Sequence, residues 1–148
     1  MKKVILASLS AKFIHSSLAL RYLTRFQGNA QHHNLQTMEF TINQRLDFIA
    51  DELFRQQPDV ILFSCYIWNV EMLKALCPLL KKILPACFLG LGGPEVSYES
   101  EAFLQENPAV DLIMRGEGEM VFSQLLDYWD EGDPAALQDI QGLTFRQN

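Results

Sequence analysis

Two glycine-rich stretches stand directly behind apolar runs: Phe88-Leu89-Gly90-Leu91-Gly92-Gly93-Pro94-Glu95 and Leu112-Ile113-Met114-Arg115-Gly116-Glu117-Gly118-Glu119. An apolar run of four to six residues that stops at glycine reads as a buried strand ending in a tight turn. Glycine at such a turn lets a ligand lie against bare backbone. The side chains around these turns suit recognition more than bond-breaking. Ser64 offers a hydroxyl at the end of another apolar run, and Tyr66 and Trp68 offer aromatic faces just beyond it. Glu117 and Glu119 read as acids at a helix N-terminus, where they satisfy its dipole. The three cysteines, Cys65, Cys77 and Cys87, share no metal-type spacing and read as reduced thiols of a cytoplasmic protein.

These turns need a parallel sheet behind them. Apolar runs at Lys3–Ser8, Gln36–Ile42, Val60–Phe63, Phe88–Leu91 and Asp111–Met114 alternate with helical patterns. After Ser16-Ser17, plausible N-caps, Leu18, Tyr22 and Phe26 mark one helix, and Leu46, Ile49, Ala50, Leu53 and Phe54 mark the next. Met72 to Ile83 marks a third, in which Pro78 is expected to kink the helix or restart it. A short helix is expected around Glu99 to Gln105, and Val121 to Trp129 line the last. Five β–α units in series imply an α/β fold: a five-stranded doubly wound parallel sheet, flavodoxin-like or Rossmann-like, of order 2-1-3-4-5, with helices on both faces. In such a sheet the glycine turns fall on the carboxyl edge, where ligands bind.

Composition narrows the partners. With 148 residues, 49% hydrophobic and 20% charged, the chain is one ordinary globular domain by size. A net charge of −6 argues against a nucleic-acid surface. No run approaches the roughly 18 apolar residues of a membrane span, and Val4 to Leu9 is too short for a secretory core. Beyond Asp130 the polar stretch Asp-Glu-Gly-Asp-Pro leads to a brief strand signal at Leu143-Thr144-Phe145. Residues 1–131 are therefore expected to form the α/β domain, and 132–148 to start a connection to a missing downstream domain.

Three familiar ligands of this fold class fail against the turns. The loop after the first strand carries no glycine, and Glu95 takes the third glycine position of GxGxxG. No GxxxxGK[ST] is present, and the acidic Gly116-Glu117-Gly118-Glu119 would repel a phosphate. A phosphoacceptor receiver would need acids and a lysine where Ser8, Ser64 and Arg115 stand.

The segments Ala11–Leu23 (AKFIHSSLALRYL), Phe63–Asn69 (FSCYIWN), Leu91–Ser97 (LGGPEVS) and Arg115–Glu119 (RGEGE) together resemble the N-terminal cobalamin (B12)-binding domain of B12-dependent radical SAM enzymes. The resemblance spans essentially the whole chain in order, and the pair GGPE and RGEGE is its most specific part. It implies a corrin resting on the carboxyl edge, facing a following barrel that holds a [4Fe–4S] cluster and S-adenosylmethionine, often in methyltransferases. Ser64, Tyr66, Trp68, Gly92, Gly93, Pro94, Glu95, Arg115, Gly116, Glu117, Gly118 and His15 are the cofactor-binding candidates. Their chemistry agrees with that role. A corrin is a broad, mostly apolar disc fringed with amides, and it needs close backbone approach, neutral hydrogen-bond partners and few charges. Gly92 and Gly93 are expected to let its nucleotide tail lie against the sheet.

Two departures from the family pattern matter. The Asp-x-His-x-x-Gly motif that supplies a cobalt ligand is absent; His15 occupies that loop without the flanking aspartate and glycine, and a loop-fixing hydrogen bond is its expected role rather than metal ligation. The Cys-x-x-x-Cys-x-x-Cys triplet of the barrel is also missing, so this chain alone is not expected to be catalytic. A different-class alternative is an interaction or regulatory domain of the same fold without bound corrin.

Overall fold

The computed structural model describes residues 2–11, 34–116, 118–132 and 134–146. Six strands form one sheet: β1 (Lys3–Ser10), β2 (Asn34–Thr41), β3 (Val60–Ser64), β4 (Phe88–Gly92), β5 (Leu112–Met114) and β6 (Leu143–Phe145). Their order is β2-β1-β3-β4-β5-β6. The first five run parallel, while β6 pairs antiparallel with β5. The expected count of five strands is thereby corrected to six. The signal at Leu143–Phe145, expected to open a connection, is an edge strand of this same sheet.

Two sets of side-chain contacts hold β6 there. The Arg146 guanidinium donates from Nη2 to the carbonyls of Leu104 (2.7 Å), Val110 (2.9 Å) and Asn107 (3.3 Å). The hydroxyls of Ser100 and Thr144 share a hydrogen bond of 2.8 Å.

Strand alternation sends side chains to two cores. Ile5, Ala7 and Leu9 of β1, Ile61 and Phe63 of β3, and Leu89 and Leu91 of β4 face one of them. There they meet α1 (Leu46–Arg55) through Ile49 and Leu53, and α2 (Val70–Ile83) through Leu73, Leu76 and Leu80. The short helices α3 (Pro94–Ser97) and α4 (Ser100–Glu106) add Val96 and Leu104 to this core. Val4, Leu6, Val60, Leu62, Leu112 and Met114 face the opposite core and meet Val121, Phe122, Leu125 and Leu126 of α5 (Gly118–Glu131). Pro78 lies inside α2 without dividing it, so no second helix start occurs. The helix expected after Ser16-Ser17 lies outside the described residues.

Both faces of β3 are buried along its whole length, which makes it the centre of the layered core. At the amino edge the Lys81 ammonium bridges the Asp111 carboxylate (2.6 Å) and the Cys87 carbonyl (2.6 Å). The same carboxylate accepts the Leu89 N–H at 2.8 Å, so one half-buried ion pair ties the end of α2 to the starts of β4 and β5. The carboxyl edge is tied separately and forms the site.

Candidate functional site at the carboxyl edge

At the end of β3 the chain leaves the sheet through Cys65-Tyr66-Ile67-Trp68 and enters α2 behind Asn69. Asn69 holds this exit. Its side chain is 1% exposed and makes three bonds: Oδ1 accepts the Tyr66 N–H (2.8 Å), and Nδ2 donates to the carbonyls of Leu9 (3.0 Å) and Ser64 (3.0 Å). Asparagine at a helix N-cap ordinarily turns to the helix's own N–H groups. Here it makes no such cap and instead locks the ends of β1 and β3 to the loop that leads from β3 into α2. The loop so held projects Ile67 and Trp68 outward, Trp68 49% exposed, with the Tyr66 and Trp68 rings stacked at 4.5 Å and 11°. A stacked pair at this separation presents one stiff apolar face.

The first glycine turn follows β4. Gly93 has φ +119°, and a Cβ there would run into the backbone of Cys65, chiefly its carbonyl oxygen. Its missing side chain is thus taken up by close approach of two strand ends, which the Cys65 N–H to Gly92 carbonyl bond of 2.6 Å cements. Gly92 differs: a Cβ there would meet the Met114 methyl at 3.3 Å, the end of a flexible side chain. Pro94 opens α3, with Glu95 exposed in its first turn.

The second glycine turn follows β5. Gly116 has φ +70° and open space where a Cβ would stand. One serine joins the two turns. The Ser97 hydroxyl donates to the Gly93 carbonyl (2.7 Å) and accepts the Gly116 N–H (3.3 Å). Arg115 is exposed and lines a groove between α4 and β6 together with Tyr98, Ser100 and Thr144. Gly118 starts α5, whereas His15 and Glu117 lie outside the described residues.

A shallow row runs across the sheet on the α5 face. Glu39 of β2 opposes Ser8 of β1, Ser64 of β3 opposes Gly92 of β4, and Gly92 opposes Met114 of β5. Ser8 lies one step beyond the Ala7–Phe63 pair, hence level with Ser64. Three adjacent central strands therefore contribute serine, serine and glycine, where one turn earlier Leu6 and Leu62 fill the same face. The Ser8 hydroxyl is buried without a hydrogen-bond partner. A row of small residues with an orphaned hydroxyl suits a flat group that brings its own polar atoms.

Among the described residues of this edge, the Cys65 thiol is held in its neutral form. Burial pushes the Cys65 thiol up to about 12, with the Glu95 carboxylate adding to the effect. Sequence reading missed the roles of Asn69 and Ser97. An asparagine before a helix that follows a strand-ending serine was the available signal for the first. A serine four residues after the glycine turn, placed to bond back along its helix, was the signal for the second.

Known proteins share this fold and part of this sequence. The cobalamin-dependent radical SAM methyltransferase TokK of Streptomyces tokunonensis is 37% identical over 70 residues, which cover 47% of this chain and 10% of TokK. The fold matches OxsB, a cobalamin-dependent S-adenosylmethionine radical enzyme with aqua-cobalamin bound (TM-score 0.82, 18% identity), over 100% of this chain and 21% of OxsB. It also matches the radical S-adenosylmethionine methyltransferase TsrM of Kitasatospora setae (TM-score 0.74, 16% identity), over 100% of this chain and 29% of TsrM. The chain thus spans only a tenth to under a third of these relatives. The family model described as B12 binding domain matches residues 4–126, and the chain belongs to that family.

Proposed function

We propose that this chain holds cobalamin across its carboxyl edge within a larger radical SAM protein of methyltransferase type. The corrin would rest over the two glycine turns, with the Tyr66–Trp68 stack as an apolar wall and Gly116 and Gly118 along its rim. The nucleotide tail would enter the row on the α5 face, over Gly92 and against the Ser64 hydroxyl. Gly93, Pro94 and Glu95 shape the turn beside it, and Arg115 faces the flank where a neighbouring domain would sit. Bound there, cobalamin would supply transfer chemistry at cobalt, while this chain would bind, orient and shield it. A [4Fe–4S] cluster and S-adenosylmethionine belong to a downstream barrel in this reading. Residues 1–131 carry the cofactor, β6 closes the edge of their sheet, and the barrel would follow it in the parent protein.

The observation that carries the reading is the Ser8–Ser64–Gly92 row, small residues at one level of three adjacent strands, where Leu6 and Leu62 stand two residues earlier on β1 and β3. The test is reconstitution of the purified protein with hydroxocobalamin, desalting, and a visible spectrum. Near-stoichiometric retained corrin absorbance, unchanged by His15→Ala, is expected. Loss of all corrin on desalting would favour an interaction domain that keeps the fold without the cofactor.

A further inference from the structure

We propose that Ser8 and Thr41 extend the tail site across β1 and β2, giving a nucleotide-type tail two hydrogen-bond partners beyond Ser64. The inference rests on the cobalamin reading above. Three buried side-chain polar atoms lack a partner among the described residues: Ser8 Oγ, Thr41 Oγ1 and Arg146 Nε. Arg146 belongs to the β6 edge and is otherwise engaged. The two hydroxyls lie together on the other half of the sheet, each 3% exposed. Buried hydroxyls in folded proteins are nearly always paired, so two orphans close together point to a missing partner.

Alternation fixes which way they face. Leu9 and Phe40, paired across β1 and β2, enter the α1–α2 core. Ser8, Ser10 and Thr41 therefore lie on the α5 face, where Val4 and Leu6 precede them. Thr41 opposes Ser10, two residues beyond Ser8 and one strand over. Strand spacing and rise set Ser8 and Thr41 about 8 Å apart. That span suits the base and the ribose–phosphate of one nucleotide. A hydroxyl both donates and accepts, so it can serve a ring nitrogen, a ribose hydroxyl or a phosphate oxygen. For packing alone, alanine and valine would fill these positions without stranding a polar atom.

The test uses the intact protein with Ser8→Ala and, independently, Thr41→Val. Dissociation constants are read by absorbance titration for hydroxocobalamin and for dicyanocobinamide, a corrin without the nucleotide tail. Thermal midpoints are read without corrin. Each variant is expected to bind hydroxocobalamin roughly three- to tenfold more weakly, the worth of one neutral hydrogen bond, with cobinamide binding unchanged. Without corrin, the midpoint is expected to stay level or rise, because the lost hydroxyl had no partner. Unchanged hydroxocobalamin affinity in both variants, an equal loss for both corrins, or a lowered corrin-free midpoint would overturn the inference while leaving the cobalamin reading intact. A wild-type protein that binds neither corrin would overturn both.

Discussion

Asn69 is the residue whose removal should be felt most at the carboxyl edge. Asn69→Ala takes away three buried bonds and strands the Leu9 and Ser64 carbonyls and the Tyr66 N–H. A neutral buried bond is worth about 0.5–1.5 kcal/mol net, and a stranded partner costs about 1–3 kcal/mol. The three share one side chain and are not additive, so about 2–4 kcal/mol is expected. For a chain this size that is a thermal midpoint lowered by roughly 5–15 °C. Urea unfolding followed by circular dichroism measures the free-energy cost, and a thermal melt measures the midpoint. Asn69→Asp sharpens the test, since it keeps an acceptor for the Tyr66 N–H but sets a carboxylate against two carbonyl oxygens. Only the protonated carboxyl can donate there, which raises its folded pKa above the unfolded value of about 3.9. The stabilising contribution of the protonated form is complete below that value and lost as pH rises through the folded one, so this variant should recover stability on acidification relative to Asn69→Ala. A cost below about 1 kcal/mol for Asn69→Ala, or identical pH profiles for the two variants, would refute this account of the loop.

Three further outcomes are expected. Gly93→Ala should destabilise severely, by more than about 3 kcal/mol, because a Cβ at φ +119° collides with the Cys65 backbone; Gly116→Ala, at φ +70° with open space, should cost only about 1 kcal/mol in the same unfolding assay. Cys65, Cys77 and Cys87, each pushed up to about 12 chiefly by burial, should resist iodoacetamide in the native state and react once unfolded. Relative to the usual 9.0, the stability linked to these thiols is complete below pH 9 and lost as pH rises toward 12, which an alkaline unfolding series would show. Asp111→Ala and Lys81→Ala should each cost about 2–4 kcal/mol, since each side chain makes a second bond beyond the ion pair, to the Leu89 N–H and to the Cys87 carbonyl; a cost below about 1 kcal/mol for either would contradict the clasp described at the amino edge.

The parts of the fold that sequence shows well are those written in local periodicity. Val60 to Phe63 is apolar at every position, and a strand buried on both faces must look that way. The helix over Leu46–Arg55 follows from the spacing of Ile49, Ala50 and Leu53. The sixth strand was visible as Leu143-Thr144-Phe145, but its place in the sheet depends on Arg146 reaching carbonyls 36 to 42 residues away. The site divides in the same manner. Glycine turns announce themselves, yet Gly92 and Gly93 look alike in sequence and differ only in what stands opposite each of them. Asn69 binds the Leu9 carbonyl 60 residues away, and Ser97 joins two turns 19 residues apart from its own position to Gly116. Such bonds exist only once the strands have been laid side by side.

The central claim is that cobalamin lies on the carboxyl edge with its tail on the α5 face. A crystal structure of the cobalamin complex tests it most directly. Tail density is expected over Gly92, within hydrogen-bond reach of Ser64 Oγ, with the corrin beside the Tyr66–Trp68 stack. Density for the tail on the α1–α2 face, or a corrin seated at the amino edge near Lys81 and Asp111, would contradict it.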